Sequence, residues 1–367
     1  TTSSSNDVIL KYEATHPSEG YLGIVYLDLM PRPGKAPSPA HYTLRCRHKR
    51  NNQPAAVALV AGLSSSSSST DSNNNNNNNN NYNNNYNSGL SLSDIETLFH
   101  EFGHALHSLV SSTQYQHLSG TRGPLDTVEL PSQLFQLLAA NPLVLESFFY
   151  NNNSSSTDSG NVGRRSLLAP PPAPPKGMIH AAVASRNMFP AMDLQQQCQL
   201  IALDQFVLHG DQDILSSSSS SYDDLMSSMM MTNPSSSSSS SSSSYYSYFP
   251  HIPTTRPFIR FGHGVGYGGI YHGYLYTECL AMEAMKRLQL VEQCTSTTSS
   301  SVGEGGDVLR SRLLAGGGAK EAREMVKSLL GDDVMIRSNN NNGNKMDTGG
   351  GGWYPKSDAL ISRLHSD

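Results

Sequence analysis

Cysteine is scarce and scattered in this chain. Cys46, Cys198, Cys279 and Cys294 form no C-x-x-C pair, which excludes a zinc ribbon or a thioredoxin-type redox motif and fits a reducing compartment. Basic clusters are almost missing. The formal net charge is −5, and no Lys/Arg stretch is interleaved with aromatics, so no nucleic-acid partner is expected. The single basic run, Arg45-Cys46-Arg47-His48-Lys49-Arg50, reads as a solvated strand end. No apolar run approaches the roughly 20 residues of a membrane helix, so no membrane partner is expected either. The hydrophobic fraction is also low, at 37%. Polar tracts account for it: serine at 64–69, 216–221 and 235–244, and asparagine at 73–81. Such tracts bury too little apolar surface to offset backbone entropy, so they read as solvated insertions rather than as a weak core.

Against that background one pentapeptide stands out. Residues 100–104 read His100-Glu101-Phe102-Gly103-His104, the H-E-x-x-H pattern of zinc peptidases. On a helix, residues four apart differ by roughly 40° in direction, so both imidazoles leave one face and can occupy two corners of a zinc tetrahedron. Glu101 projects from the adjoining face and suits a general base acting on water that the metal acidifies. The surrounding sequence predicts the helix. Leu92, Ile95, Leu98, Phe99, Phe102, Leu106 and Leu109 recur at helical spacing, and Ser93 with Glu96 reads as the capping box that starts it.

A catalytic zinc usually takes a third protein ligand and keeps one open position. Acidic candidates follow in Asp126-Thr127-Val128-Glu129-Leu130-Pro131-Ser132-Gln133, after a turn-rich stretch, Ser119-Gly120-Thr121-Arg122-Gly123-Pro124. Asp126 and Glu129 are three apart and would share a helix face. One could bind zinc while the other orients a ligating histidine.

These segments resemble the thimet oligopeptidase family of zinc metallopeptidases, and within it the branch of the mitochondrial intermediate peptidases. The resemblance is carried by Phe99 to His107, by His117 to Asp126 and by Glu129-Leu130-Pro131-Ser132-Gln133. It implies that His100, His104 and Glu129 hold one zinc ion per chain and that Glu101 is catalytic. A second segment, Phe261-Gly262-His263-Gly264-Val265-Gly266-Tyr267-Gly268-Gly269-Ile270-Tyr271-His272-Gly273-Tyr274-Leu275, resembles the family's His- and Tyr-rich loop. Attack on a peptide carbonyl builds negative charge on oxygen, and a hydroxyl or imidazole N–H can stabilise it without ionising. By resemblance Tyr274 and Tyr267 take that role and His263 assists. His272 departs from the family, which commonly carries a tyrosine there. Weaker likenesses are Gly23 to Lys35 and Leu313-Leu314-Ala315-Gly316-Gly317-Gly318.

The resemblance implies a mainly α, gluzincin-type helical peptidase fold with a small β-sheet near the active site. It implies a zinc metalloendopeptidase acting on unfolded peptides, here the N-terminal presequence peptides of imported precursors in the mitochondrial matrix, as a monomer. The alternatives are a cytosolic oligopeptidase and a zinc-binding fragment without full activity. The chain opens Thr1-Thr2-Ser3-Ser4-Ser5 with no signal peptide or Arg-rich presequence, and only residues 1–90 precede the predicted zinc helix. The reading is therefore one catalytic domain over 1–367, lacking the family's N-terminal helical region. Insertions are expected near 64–90, 151–176, 216–247, 295–306 and 338–352. Strands are predicted at 21–30 and 41–47, as a hairpin pair, and at 55–63. Helices are predicted at 92–112, 125–149, 177–209, 270–292 and 307–330.

Overall fold

A computed structural model of the chain describes residues 9–36, 38–63, 90–150, 174–175, 177–209, 261–295, 304–337, 353–356 and 358–364. The five expected insertions lie outside these residues except for a few positions at their ends. What is described is mainly helical, with one small four-stranded sheet. The chain divides into two compact units, Thr1–Arg186 with Thr277–Leu360, and Asn187–Tyr276 with Ile361–Asp367.

The first unit opens with the sheet: β1 (Leu10–His16), β2 (Gly20–Asp28), β3 (Ala40–Arg45) and β4 (Ala55–Val60), in the order β1-β2-β4-β3. The expected pairing of 21–30 with 41–47 is not formed. β2 pairs antiparallel with β1, whose exposed, polar sequence gives little strand signal, and parallel with β4. β3 pairs only with β4 and becomes an edge strand. The reason lies in β4, Ala55-Ala56-Val57-Ala58-Leu59-Val60. It is the most apolar strand, and the free energy falls most when it is central, flanked on both sides. Its alternate residues Ala55, Val57 and Leu59 are fully buried.

They pack with Val25 against Ala105 and Leu109 of α1 (Leu92–Val110). Full burial of each valine or leucine in this group contributes roughly 2 kcal/mol. The start of α1 differs from the predicted capping box. Ser91 is the N-cap: its hydroxyl accepts from the Asp94 N–H at 3.1 Å, and the Asp94 carboxylate accepts from the Ser91 N–H at 3.2 Å. Glu96 is instead buried and takes both arms of the Arg186 guanidinium at 2.7 and 2.6 Å. At the other end Arg47 departs from a solvated role. Its guanidinium donates to the Val110 carbonyl at 3.1 Å, where the helix dipole favours a cation.

The region predicted as one helix over 125–149 is broken into α2 (Leu125–Val128), α3 (Leu130–Ala139) and α4 (Pro142–Tyr150), followed by α5 (Met178–Arg186). α3 buries Leu130, Leu134 and Leu138 and packs along α1. The second unit contains α6 (Pro190–His209) and α7 (His263–Gly266). Of the residues expected as core in α6, Leu203 is buried, while Met192, Leu194, Leu200 and Ile201 are half-buried. The side chain of Phe206 lies outside the description. The unit boundary falls within α8 (His272–Arg287).

The first unit then continues with α9 (Leu290–Thr295), α10 (Glu304–Leu309) and a π-helical turn, Arg310–Leu314. It is followed by α11 (Ala322–Leu330) and by β5 (Met335–Arg337), paired antiparallel with β6 (Trp353–Pro355). The final helix is α12 (Asp358–Leu364). The glycines after the π-turn fit tightly. The Gly318 N–H donates to the Leu118 carbonyl at 2.7 Å, and a Cβ on Gly318 would lie 2.9 Å from Gly123 Cα. Among the described residues no helix is long and apolar enough to cross a membrane.

Candidate active site

His100 and His104 leave α1 one turn apart, with ring centroids 5.2 Å apart and planes nearly perpendicular. Glu129, 29 residues after His100 in sequence, meets both. Its Oε2 lies 3.4 Å from His100 Nε2 and 3.1 Å from His104 Nε2. One ligand atom from each of the three lies within 4.8 Å of the others, the one such group of His, Cys, Asp and Glu among the described residues. The donor set fits zinc. Tetrahedral bonds of about 2.0–2.1 Å imply ligand-to-ligand edges of about 3.3 Å, close to both carboxylate–imidazole distances. Asp126, the other acidic candidate, is exposed and outside the group.

Three local features deliver Glu129. It sits at the junction of α2 and α3, with φ −86° and ψ −6°, so the two helices are separate and the carboxylate projects at the break. The Ser132 hydroxyl lies 2.8 Å from both Glu129 Oε2 and the Glu129 carbonyl, bracing the side chain from the first turn of α3. Gly103, inside the H-E-x-x-H segment, permits the approach of α3. A Cβ there would stand 2.7 Å from the Pro131 carbonyl oxygen and from Ser132 Cα, far inside contact distance.

The histidines are oriented as well. His100 Nδ1 lies 2.9 Å from Gln136 Oε1, an acceptor only, so Nδ1 carries a proton and Nε2 is the nitrogen that would bind a metal. His104 Nδ1 is buried without a hydrogen-bond partner among the described residues, and its ring faces that of His41 at 6.1 Å. Glu101 is half-buried on the adjoining helix face, beside the His41 main chain of β3.

The charges follow from these contacts. Burial opposes ionisation of Glu129, yet hydrogen bonds from His100 and His104 outweigh it and hold the carboxyl well below its usual range. Burial also opposes the His100 cation, but Glu129 draws its proton affinity above the ordinary value. Burial, ahead of the opposing histidines, raises the Glu101 carboxyl. Desolvation, then the neighbouring His104, pushes His41 and the fully buried His107 down to about 3, so both stay neutral near pH 7.

His263, Tyr267 and Tyr274 belong to the second unit, where they form a cluster with Tyr271. The His263 ring lies 5.8 Å from Tyr267, 4.9 Å from Tyr271 and 5.5 Å from Tyr274, and the rings of Tyr271 and Tyr274 are 5.3 Å apart. Tyr267 is 62% exposed, available to a ligand, whereas Tyr271 and Tyr274 are half-buried. Among the described residues nothing lies within 4 Å of where a Cβ would stand on Gly262 or Gly266. His272, the departure from the family pattern, is exposed.

Sequence reasoning missed Gln136, His41 and the spacer role of Gly103. Gln136 stands seven residues after Glu129, two helical turns along the same face, which is the signal that could have found it. His41 had no such signal, because its position depends on β3 taking the sheet edge.

The sequence profile of peptidase family M3 matches residues 5–338. The mitochondrial intermediate peptidase of Arabidopsis thaliana is 30% identical over 330 residues, covering 89% of this chain and 39% of that protein. The Homo sapiens mitochondrial intermediate peptidase is 29% identical over 325 residues, covering 88% of this chain and 38% of that protein. The chain thus spans about two fifths of the length of the curated relatives it matches. With the family profile matched across nearly the whole sequence, this chain belongs to peptidase family M3, a family of metallopeptidases.

Proposed function

We propose that this chain carries the zinc site of a gluzincin-type metalloendopeptidase. The observation that carries the reading is the meeting of Glu129 Oε2 with both imidazole Nε2 atoms, at 3.4 and 3.1 Å, beside a half-buried Glu101. His100, His104 and Glu129 would hold the metal. When bound, zinc supplies Lewis acidity toward water and toward the scissile carbonyl.

The chain's own residues do the rest. The Glu101 carboxylate accepts a proton from the attacking water and returns it to the leaving amine. Its burial raises its proton affinity, which suits both steps. The His41 main chain lies beside that carboxylate and favours its ionised form. Because β3 is an edge strand, an extended peptide can add to it through main-chain hydrogen bonds, which brings its carbonyls past Glu101. Tyr274 and Tyr267, with His263 assisting, donate to the oxygen on which negative charge develops.

The substrate reading rests on the relatives, which are named mitochondrial intermediate peptidases. It is an unfolded peptide, the N-terminal segment of an imported precursor in the mitochondrial matrix. Purified protein should cleave a quenched presequence peptide, lose that activity to a chelator and regain it with zinc. Glu129→Ala should abolish stoichiometric zinc measured by mass spectrometry. Full zinc content in that variant would remove Glu129 from the site, and zinc binding without cleavage would reduce the role to metal binding.

A further inference from the structure

We propose that Asp204 and Gln205, neighbours on α6, are positioning residues that set the aromatic cluster of the second unit; this rests on the donor role given above to Tyr274. Asp204 is 1% exposed. Among the described residues no cation pairs with its carboxylate. Instead its Oδ1 accepts the Gly269 N–H and its Oδ2 accepts the Tyr271 N–H, each at 2.9 Å. Gln205 Nε2 donates to the Gly269 carbonyl at 2.8 Å. Both polar groups of the Gly269 backbone are therefore held by adjacent residues of one helix, at a position whose φ of +83° lies in the left-handed region.

Burying a carboxylate is costly unless hydrogen bonds satisfy it, and a helix built only for packing would carry an apolar residue here. What the arrangement achieves is geometric. The Tyr271 N–H is held by Asp204, so the start of its side chain is fixed. The Tyr271 ring then wedges between His263 at 4.9 Å and Tyr274 at 5.3 Å. The same turn starts α8: the Gly273 N–H donates to the Ile270 carbonyl and the Tyr274 N–H to the Tyr271 carbonyl, at 2.9 and 3.2 Å. One carboxylate thus sets where Tyr274 stands, without touching substrate.

The test is a double-mutant cycle on the full chain. Asp204→Asn keeps the shape but replaces one acceptor with an amide that faces an N–H. It should lower kcat about 10- to 100-fold, with KM within about threefold and zinc content unchanged. Hydrogen exchange at the Gly269 and Tyr271 amides should accelerate. In a Tyr274→Phe background the same substitution should cost kcat little more, because both changes disable one device. Gln205→Leu, which leaves the buried carboxylate satisfied, should give a smaller kcat loss of the same kind and serves if Asp204→Asn does not fold. Multiplicative effects of the Asp204 (or Gln205) and Tyr274 changes overturn this inference alone. Wild-type kcat in folded Gln205→Leu, with amide exchange at Gly269 unaltered, also overturns it. A silent Tyr274→Phe overturns the donor role first, and this inference with it.

Discussion

The two regions proposed to carry the chemistry are built in opposite ways. The His100–His104–Glu129 group stands on long or well-packed helices and is braced at two of its members, by half-buried Gln136 on His100 and by buried Ser132 on the Glu129 carboxylate, while Gly103 lets α3 approach. The His263–Tyr267–Tyr271–Tyr274 group is spread over a four-residue helix, a glycine turn and the first turn of α8, is partly exposed, and is held through its backbone by one buried carboxylate. The difference matches the tasks. Three ligand atoms must converge within a few tenths of an ångström on one point, which demands braced side chains. The proposed donor to a transient oxyanion must meet a variable peptide, and a hydroxyl carried on a fixed backbone suffices.

That contrast can be broken by experiment. Glu101→Gln should lower kcat on the order of 10³-fold with zinc content intact, since only the proton carrier is lost. A loss of zinc instead would make Glu101 part of the braced group. Tyr274→Phe should lower kcat about 10²-fold with KM nearly unchanged, the pattern of a contact made in the transition state. A rise in KM alone would recast the tyrosine as a ground-state binding residue. Gln136→Leu should weaken zinc affinity about tenfold in chelator competition, with turnover of the saturated protein near wild type. Unaltered affinity would show that the His100 ring needs no brace.

The smallest effect is expected at a residue that belongs to neither group. At the end of β2, the Asp28 carboxylate accepts from Arg32 Nη2 at 2.7 Å and from Lys35 Nζ at 2.9 Å. The Arg32 hydrogen bond, acting against burial and helped by Lys35, lowers its pKa from 3.8 to about 2. A depressed carboxyl stabilises the fold above its unfolded value and loses that contribution as pH falls through the folded one. The advantage of wild type over Asp28→Asn in denaturant melts, about 1 kcal/mol at pH 6, should therefore shrink between about pH 4 and pH 2. A difference constant across that window would detach Asp28 from the acid response.

The legible parts of the sequence were those governed by local spacing. The zinc helix, its two imidazoles and its adjoining glutamate follow from a 3.6-residue period, and the strand at Ala55–Val60 from a run of small and β-branched residues. Glu129 was one of two local candidates until the family likeness chose it, and the fold then left Asp126 in solvent. The capping box was misplaced by two residues. Ser91–Asp94 and Ser93–Glu96 both satisfy the pattern, and only a distant arginine, Arg186, draws Glu96 inward.

Residue order by itself determined which side chains share a helix face, because bond geometry repeats along the backbone whatever surrounds it. It also determined the chemical kinds available: two imidazoles, two carboxylates and a set of tyrosines. Tertiary structure alone decided that β4 lies between β2 and β3, that Glu129 reaches both imidazoles across an α1–α3 contact as close as a missing Cβ allows, and that Asp204 holds Gly269 and Tyr271. Those pairings join residues tens of positions apart. Their partners are chosen by burial and close packing over the whole unit, which no local period encodes.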